Sequence, residues 1–137
     1  MIARPEWENM PVSMAAFVSN TLEHQPVFSW YREHAGTIYT SGHVAIDIDS
    51  GEFSHGDLRH EARVALRNLS RTLERAGSSL GKVLKVTVYL TDMREFASFN
   101  RVYAEFFPGE QVPARICVEV SRLPYDLRVA IDAIAYV

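Results

Sequence analysis

The sequence predicts an α+β fold, a mixed sheet with two helices packed on one face. Two observations carry this. Apolar residues keep helical spacing from Leu58 to Ala76, and a second, aromatic run does so from Phe96 to Phe106. Around these runs lie segments rich in β-branched and aromatic residues, the clearest of which alternates every second position. The order of strands, helix, strand, helix, strand, strand is met most simply by helices gathered on one side of a sheet.

Taken in order, residues 1–25 show little sustained period and are punctuated by Pro5 and Pro11, with Pro26 at their end. They read as an N-terminal arm with one short helical or extended piece at Ser13 to Leu22, leaving 26–137 as the domain. "TIYTSGHVAID", Thr37 to Asp47, reads as a strand interrupted near Gly42, and Asp49, Ser50 and Gly51 supply a turn after it. The first helix buries Leu58, Ala62, Ala65, Leu66, Leu69 and Leu73, while Arg63, Arg67, Arg71 and Arg75 form a ridge along another flank. Gly77 follows as its stop signal. "VLKVTVYL" puts Leu84, Val86, Val88 and Leu90 on one face, with Lys85 and Thr87 on the other. Asp92 and Glu95 have capping spacing before a helix that carries Phe96, Phe99, Val102, Tyr103 and Phe106 and ends at Pro108-Gly109. Arg115 to Val120 and Leu127 to Val137 are the last strands, joined by a hairpin-like "SRLPYD". The strand between the helices is expected beside the earlier strands through a right-handed crossover.

A chain of 137 residues suits one domain with a real core. Its 47% hydrophobic and 23% charged content is that of a globular protein. A formal charge of −3 gives no global pull towards nucleic acid. No stretch approaches the roughly 18 apolar residues of a membrane span, and Glu6 and Glu8 spoil a secretory signal, so a cytoplasmic location is expected. The single cysteine excludes an internal disulfide, and the five histidines lack metal-ligand spacing.

"PARICVEV", Pro113 to Val120, is the segment whose pattern asks for more than a fold. Alternation puts Arg115, Cys117 and Glu119 on one face and Ile116, Val118 and Val120 on the other. The apolar face suits a core. The polar face is either a wet sheet surface or a site.

These segments carry a resemblance. "YTSGHVAID", "GKVLKVTVYLTDMREFASFNRVYAEFF", "PARICVEVSRLPYD" and the final "IDAIA" resemble the RidA family, also called YjgF or reactive-intermediate deaminase. The resemblance spans roughly residues 26 to 137. It implies a chorismate-mutase-like subunit assembled as a homotrimer, with ligand sites between neighbouring subunits. It also implies hydrolysis of enamines and imines, such as 2-aminoacrylate and 2-iminopropanoate, to keto acids and ammonia, without metal or organic cofactor.

By the same resemblance Arg115 anchors the substrate carboxylate, a task that its planar fork of donors suits. Cys117 is a cleft wall or water-binding neighbour, or else a buried small hydrophobe. Ser41 and Gly42 contribute a hydroxyl and backbone groups, and Asn100 matches a family asparagine near the site. Phe28, with Trp30, lines a more apolar cleft.

Two positions depart from the family. Its catalytic glutamate, on the last strand, aligns with Ala130, while Asp132 matches a second acid two residues later. Its tyrosine near the domain start aligns with Phe28 or Val27, and either way the hydroxyl is missing. His43 is the substitute that the sequence offers as a catalytic acid or base. Alternation puts it on Ser41's face if the strand runs on through Gly42, whereas a bulge at the glycine breaks that parity.

The functional expectation is therefore a deaminase of altered substrate range, acting on small carboxylates. The competing expectation is a trimeric carboxylate-binding protein without the chemistry. Endoribonuclease activity, a label that some family members carry, finds no RNA-binding motif here, and neither nucleic acid nor membrane is expected as a partner.

Overall fold

The computed structural model describes residues 27–137. The N-terminal arm and its Ser13 to Leu22 piece lie outside the described residues. The first hairpin joins β1 (Tyr31–His34), which no alternation marks in the sequence, to β2 (Thr37–Thr40). Its two-residue turn, Ala35-Gly36, has φ of 50° and 80°, the positive values that a twisted two-residue hairpin requires.

Helix α1 (Leu58–Arg75) starts where the Asp57 carboxylate accepts the His60 N–H at 2.8 Å. It ends where Gly77, at φ +84°, donates to the Glu74 carbonyl at 3.0 Å and Ser78 donates to Leu73 at 2.8 Å. The expected cost of Asp57→Ala is about 1 kcal/mol of unfolding free energy, since one first-turn N–H loses its acceptor. Urea unfolding measures it, and an unchanged midpoint would contradict the cap.

Strand β3 (Val83–Leu90), helix α2 (Phe96–Phe106), β4 (Ala114–Glu119) and β5 (Val129–Tyr136) complete the chain. The sheet order is β1-β2-β5-β3-β4. β5 pairs antiparallel with both β2 and β3, and β3 pairs parallel with β4. Two expectations are corrected by this order. β3 does not lie beside the hairpin, because β5 inserts between them. "SRLPYD" is no hairpin connection, because it carries the chain past β3 to that inserted position.

Both helices contribute to one core against the sheet, in which Leu66, Leu69 and Phe99 meet Val86, Val88 and Ile131. Leu84 is 52% exposed rather than buried, because the ladder slips by one residue between Val83 and Lys85. On α2 the buried residues are Phe99, Val102 and Tyr103, with Phe107 just beyond the helix end, while Phe96 stands exposed. The buried Glu61 carboxylate joins α1 to the start of β5, accepting the Arg128 N–H at 2.8 Å and the Gly56 N–H at 3.3 Å.

Candidate functional site

The faces of β4 are the reverse of the alternation-based reading. Its register pairs Arg115 with Val86 and Cys117 with Val88, both of them core residues, so Arg115 and Cys117 face the helices. Ile116, read as core, is 49% exposed on the other face. The polar positions lie under α2 because β4 is the edge strand, where the helix layer ends and a charged head still reaches water.

Three α2 rings surround the arginine. Its guanidinium carbon lies 4.7 Å from the Tyr103 ring centroid, 5.6 Å from Phe96 and 5.8 Å from Phe99. Cation–π contacts hold the group while using none of its N–H donors. Among the described residues Arg115 has no hydrogen bond or ion pair, and the buried Asn100 Oδ1 and Tyr103 hydroxyl have no hydrogen-bond partner. Asn100 lies on α2 between Phe99 and Tyr103. The outcome is a flat cation with open donors and two unsatisfied polar atoms on the neighbouring helix. Such a group can take a carboxylate in two parallel hydrogen bonds. Burial raises the Cys117 pKa, opposed by the Arg115 charge, so the thiol stays protonated and unreactive.

Ser41 and Gly42 lie where β2 stops. Ser41 donates its N–H to the Trp30 carbonyl at 2.9 Å and its hydroxyl to the Ser29 carbonyl at 2.5 Å. Among the described residues a Cβ at Gly42 would meet nothing within 4 Å, so their packing does not account for the glycine. Phe28 stands edge-on to Trp30, centroids 5.4 Å apart, and Trp30 lies 5.1 Å from the His43 ring.

His43 does not share Ser41's face. β2 pairs Ile38 with Ala135, and farther on His43 pairs with Ile131. That is five steps on one strand against four on the other (38 to 43, 135 to 131), so one residue is extra. The bulge turns His43 towards the helices, level with the core residue Ile131. There it is 1% exposed, with Nδ1 2.8 Å from the Ser41 carbonyl and Nε2 2.7 Å from the Thr72 hydroxyl. A carbonyl only accepts, so Nδ1 carries the proton and Nε2 accepts from Thr72. Burial lowers the pKa to about 4, the Ser41 bond opposing it. A neutral imidazole with both nitrogens engaged inside the core is not placed to move protons for a substrate.

Ala130 faces away from the helices, packed with Leu127, Leu123 and Tyr89. Tyr89, which the sequence reading did not single out, stands directly across from it on β3, and its hydroxyl donates to Asp132 Oδ2 at 3.3 Å. Its place opposite the helix face in "VLKVTVYL" was the available signal. Within one chain, then, Arg115, Cys117 and Asn100 gather at the helix-side edge. Ser41, Gly42 and Ala130 belong to the β2–β5 region, with Ala130 on the opposite face. One copy does not bring the two groups together. Among the described residues no cluster of His, Cys, Asp or Glu is arranged to hold a metal ion. No described helix is long and apolar enough to cross a membrane.

Comparison with known proteins finds relatives over most of the chain. The family described as Endoribonuclease L-PSP matches residues 19–137. A RutC family protein of Pyrococcus horikoshii is 52% identical over 99 residues, covering 72% of this chain and 78% of the relative. A Mus musculus protein named 2-iminobutanoate/2-iminopropanoate deaminase is 43% identical over 99 residues, covering 72% of this chain and 73% of its own. The crystal structure of E. coli TdcF with bound serine has a TM-score of 0.75 at 35% identity, covering 82% of this chain and 90% of that one. With this match across the described sheet and helices, the chain belongs to the RidA family, also known as YjgF or L-PSP.

Proposed function

We propose that this protein is an imine/enamine deaminase. It would hydrolyse small 2-imino acids to keto acids and ammonia in clefts between the subunits of a homotrimer. The observation that carries the reading is the Arg115 guanidinium, stacked on three rings with its donors unpaired among the described residues, beside the orphaned Asn100 Oδ1. A 2-imino acid presents a carboxylate to the guanidinium, and its imine carbon is then held for attack by water. Support comes from a relative named for this activity and from a structural neighbour that holds serine, itself a small carboxylate.

Assembly follows from the divided site. Ser41, Gly42 and Phe28 of one copy would complete the pocket around Arg115, Cys117 and Asn100 of another. The helix-free face of the sheet carries exposed Tyr39, Ile116 and Tyr136, an apolar surface suited to burial against a second copy. No cofactor enters this chemistry. Phe28 in place of a hydroxyl-bearing residue favours a more apolar substrate side chain.

Ammonia release from freshly generated 2-iminopropanoate and bulkier analogues tests the reading, with sedimentation to determine the assembly. Turnover above buffer is the expected result, and none across the series would overturn it. A second reading, carboxylate binding without turnover, is favoured by one observation, the methyl group of Ala130 where the family has its glutamate. It predicts a carboxylate-dependent rise in melting temperature with no ammonia released.

A further inference from the structure

We propose that the Tyr89 hydroxyl, oriented by Asp132, carries out the proton transfers that fall to the family's glutamate at the position of Ala130. The inference rests on the deaminase reading. Asp132 lies two residues beyond Ala130, about 6–7 Å along the strand, too far to act at that position alone. Tyr89 spans the gap. The β3–β5 register sets it directly across from Ala130 and pairs Asp132 with Thr87, all four residues on the helix-free face. The Tyr89 ring packs in the cluster that contains Ala130, where the small methyl leaves room for it, and the hydroxyl reaches back diagonally to Asp132 at 3.3 Å. That is long for such a bond, and contacts of this kind tighten when substrate binds.

Burial, then the Asp132 charge and the hydrogen bond, raise the Tyr89 pKa, so near neutral pH the phenol keeps its proton and the carboxylate is the acceptor. The steps balance. Water adds to the iminium carbon, forming the C–O bond, while its proton passes to the phenol oxygen and the phenol proton passes to Asp132. The relay then runs backwards to protonate the amine nitrogen. As the C–N bond breaks, the remaining hydroxyl proton goes to the departing ammonia. Iminium and water have become keto acid and ammonium.

The test measures ammonia release from 2-iminopropanoate by wild type, Tyr89→Phe, Asp132→Asn, the double variant, and Tyr89→Phe combined with Ala130→Glu. Tyr89→Phe removes a single oxygen, and melting curves check that each variant is folded. The expected result is a kcat lowered at least about tenfold in each single variant with KM nearly unchanged. The double variant is expected to be no worse than either single one, and Ala130→Glu to restore turnover to Tyr89→Phe. A wild-type kcat in Tyr89→Phe, or a loss that only follows a fall in folded protein, overturns the assignment. Wild type without turnover overturns the deaminase reading and this inference together. An active wild type with equally active Tyr89→Phe overturns this inference alone.

Discussion

Arg115→Ala is expected to weaken binding of small carboxylates by about 100- to 1000-fold, from the loss of two charge-assisted hydrogen bonds at roughly 1.5–2 kcal/mol each. The guanidinium is fixed before any ligand arrives, because Tyr103, Phe96 and Phe99 hold it at centroid distances of 4.7, 5.6 and 5.8 Å. Little ordering then remains to oppose binding. Arg115→Lys separates charge from geometry. An ammonium keeps the charge but offers neither the parallel donor pair nor the flat stack, so an affinity between those of wild type and the alanine variant is expected. Titration calorimetry with serine and with pyruvate measures both variants, and melting curves report whether the α2–β4 edge has held. An Arg115→Ala protein that binds as wild type does would remove the anchor from the account.

Much of this site was legible in the sequence, though not its orientation. The spacing of "PARICVEV" puts Arg115 and Cys117 on one face whatever the fold. Which face meets the helices depends on the register with β3, and alternation within one strand carries no information about its partner. The apolar residues Ile116 and Val118 suggested a core, and that inference fails because their face lies opposite the helices, where Ile116 is 49% exposed. Helix α1 was readable almost to the residue, because its apolar spacing and its stop signal are both local to it. The position of β5 between β2 and β3 was not, since it is settled by pairings more than 40 residues apart, such as Tyr89 with Ala130. Tyr89 was passed over for the same reason. Its own strand sets it opposite the helix face, but what it meets there is fixed by the pairing with β5. Gly42 was the exception, a single residue whose chemistry warned of a bulge. The fate of His43 turned on that bulge.

His43 should set an acid limit on the fold worth about 3 kcal/mol, from a pKa that falls from 6.5 in the unfolded chain to about 4 in the folded one. Above pH 6.5 the imidazole is neutral in both states and contributes no pH dependence. Between pH 6.5 and about 4 the unfolded chain binds a proton that the folded chain refuses. Stability therefore falls with the pH, by about 1.4 kcal/mol per unit at most. The physical cause is burial, which the hydrogen bond to the Ser41 carbonyl offsets only in part. Protonation would charge a ring that is 1% exposed, taking a cation out of water inside the core. Asp47, Asp92 and Glu105 are held below the usual carboxylate range by hydrogen bonds to the Ser50 backbone, Arg94 and Arg63 respectively. Their contributions are present at neutral pH and lost only as the pH falls through those lowered values, so the upper part of the window belongs to the histidine. Urea unfolding at half-unit steps from pH 7.5 to 4.5 should show the slope in wild type and not in His43→Gln, whose amide has no proton to gain. Equal slopes in the two proteins would mean that the imidazole takes its proton without leaving the core.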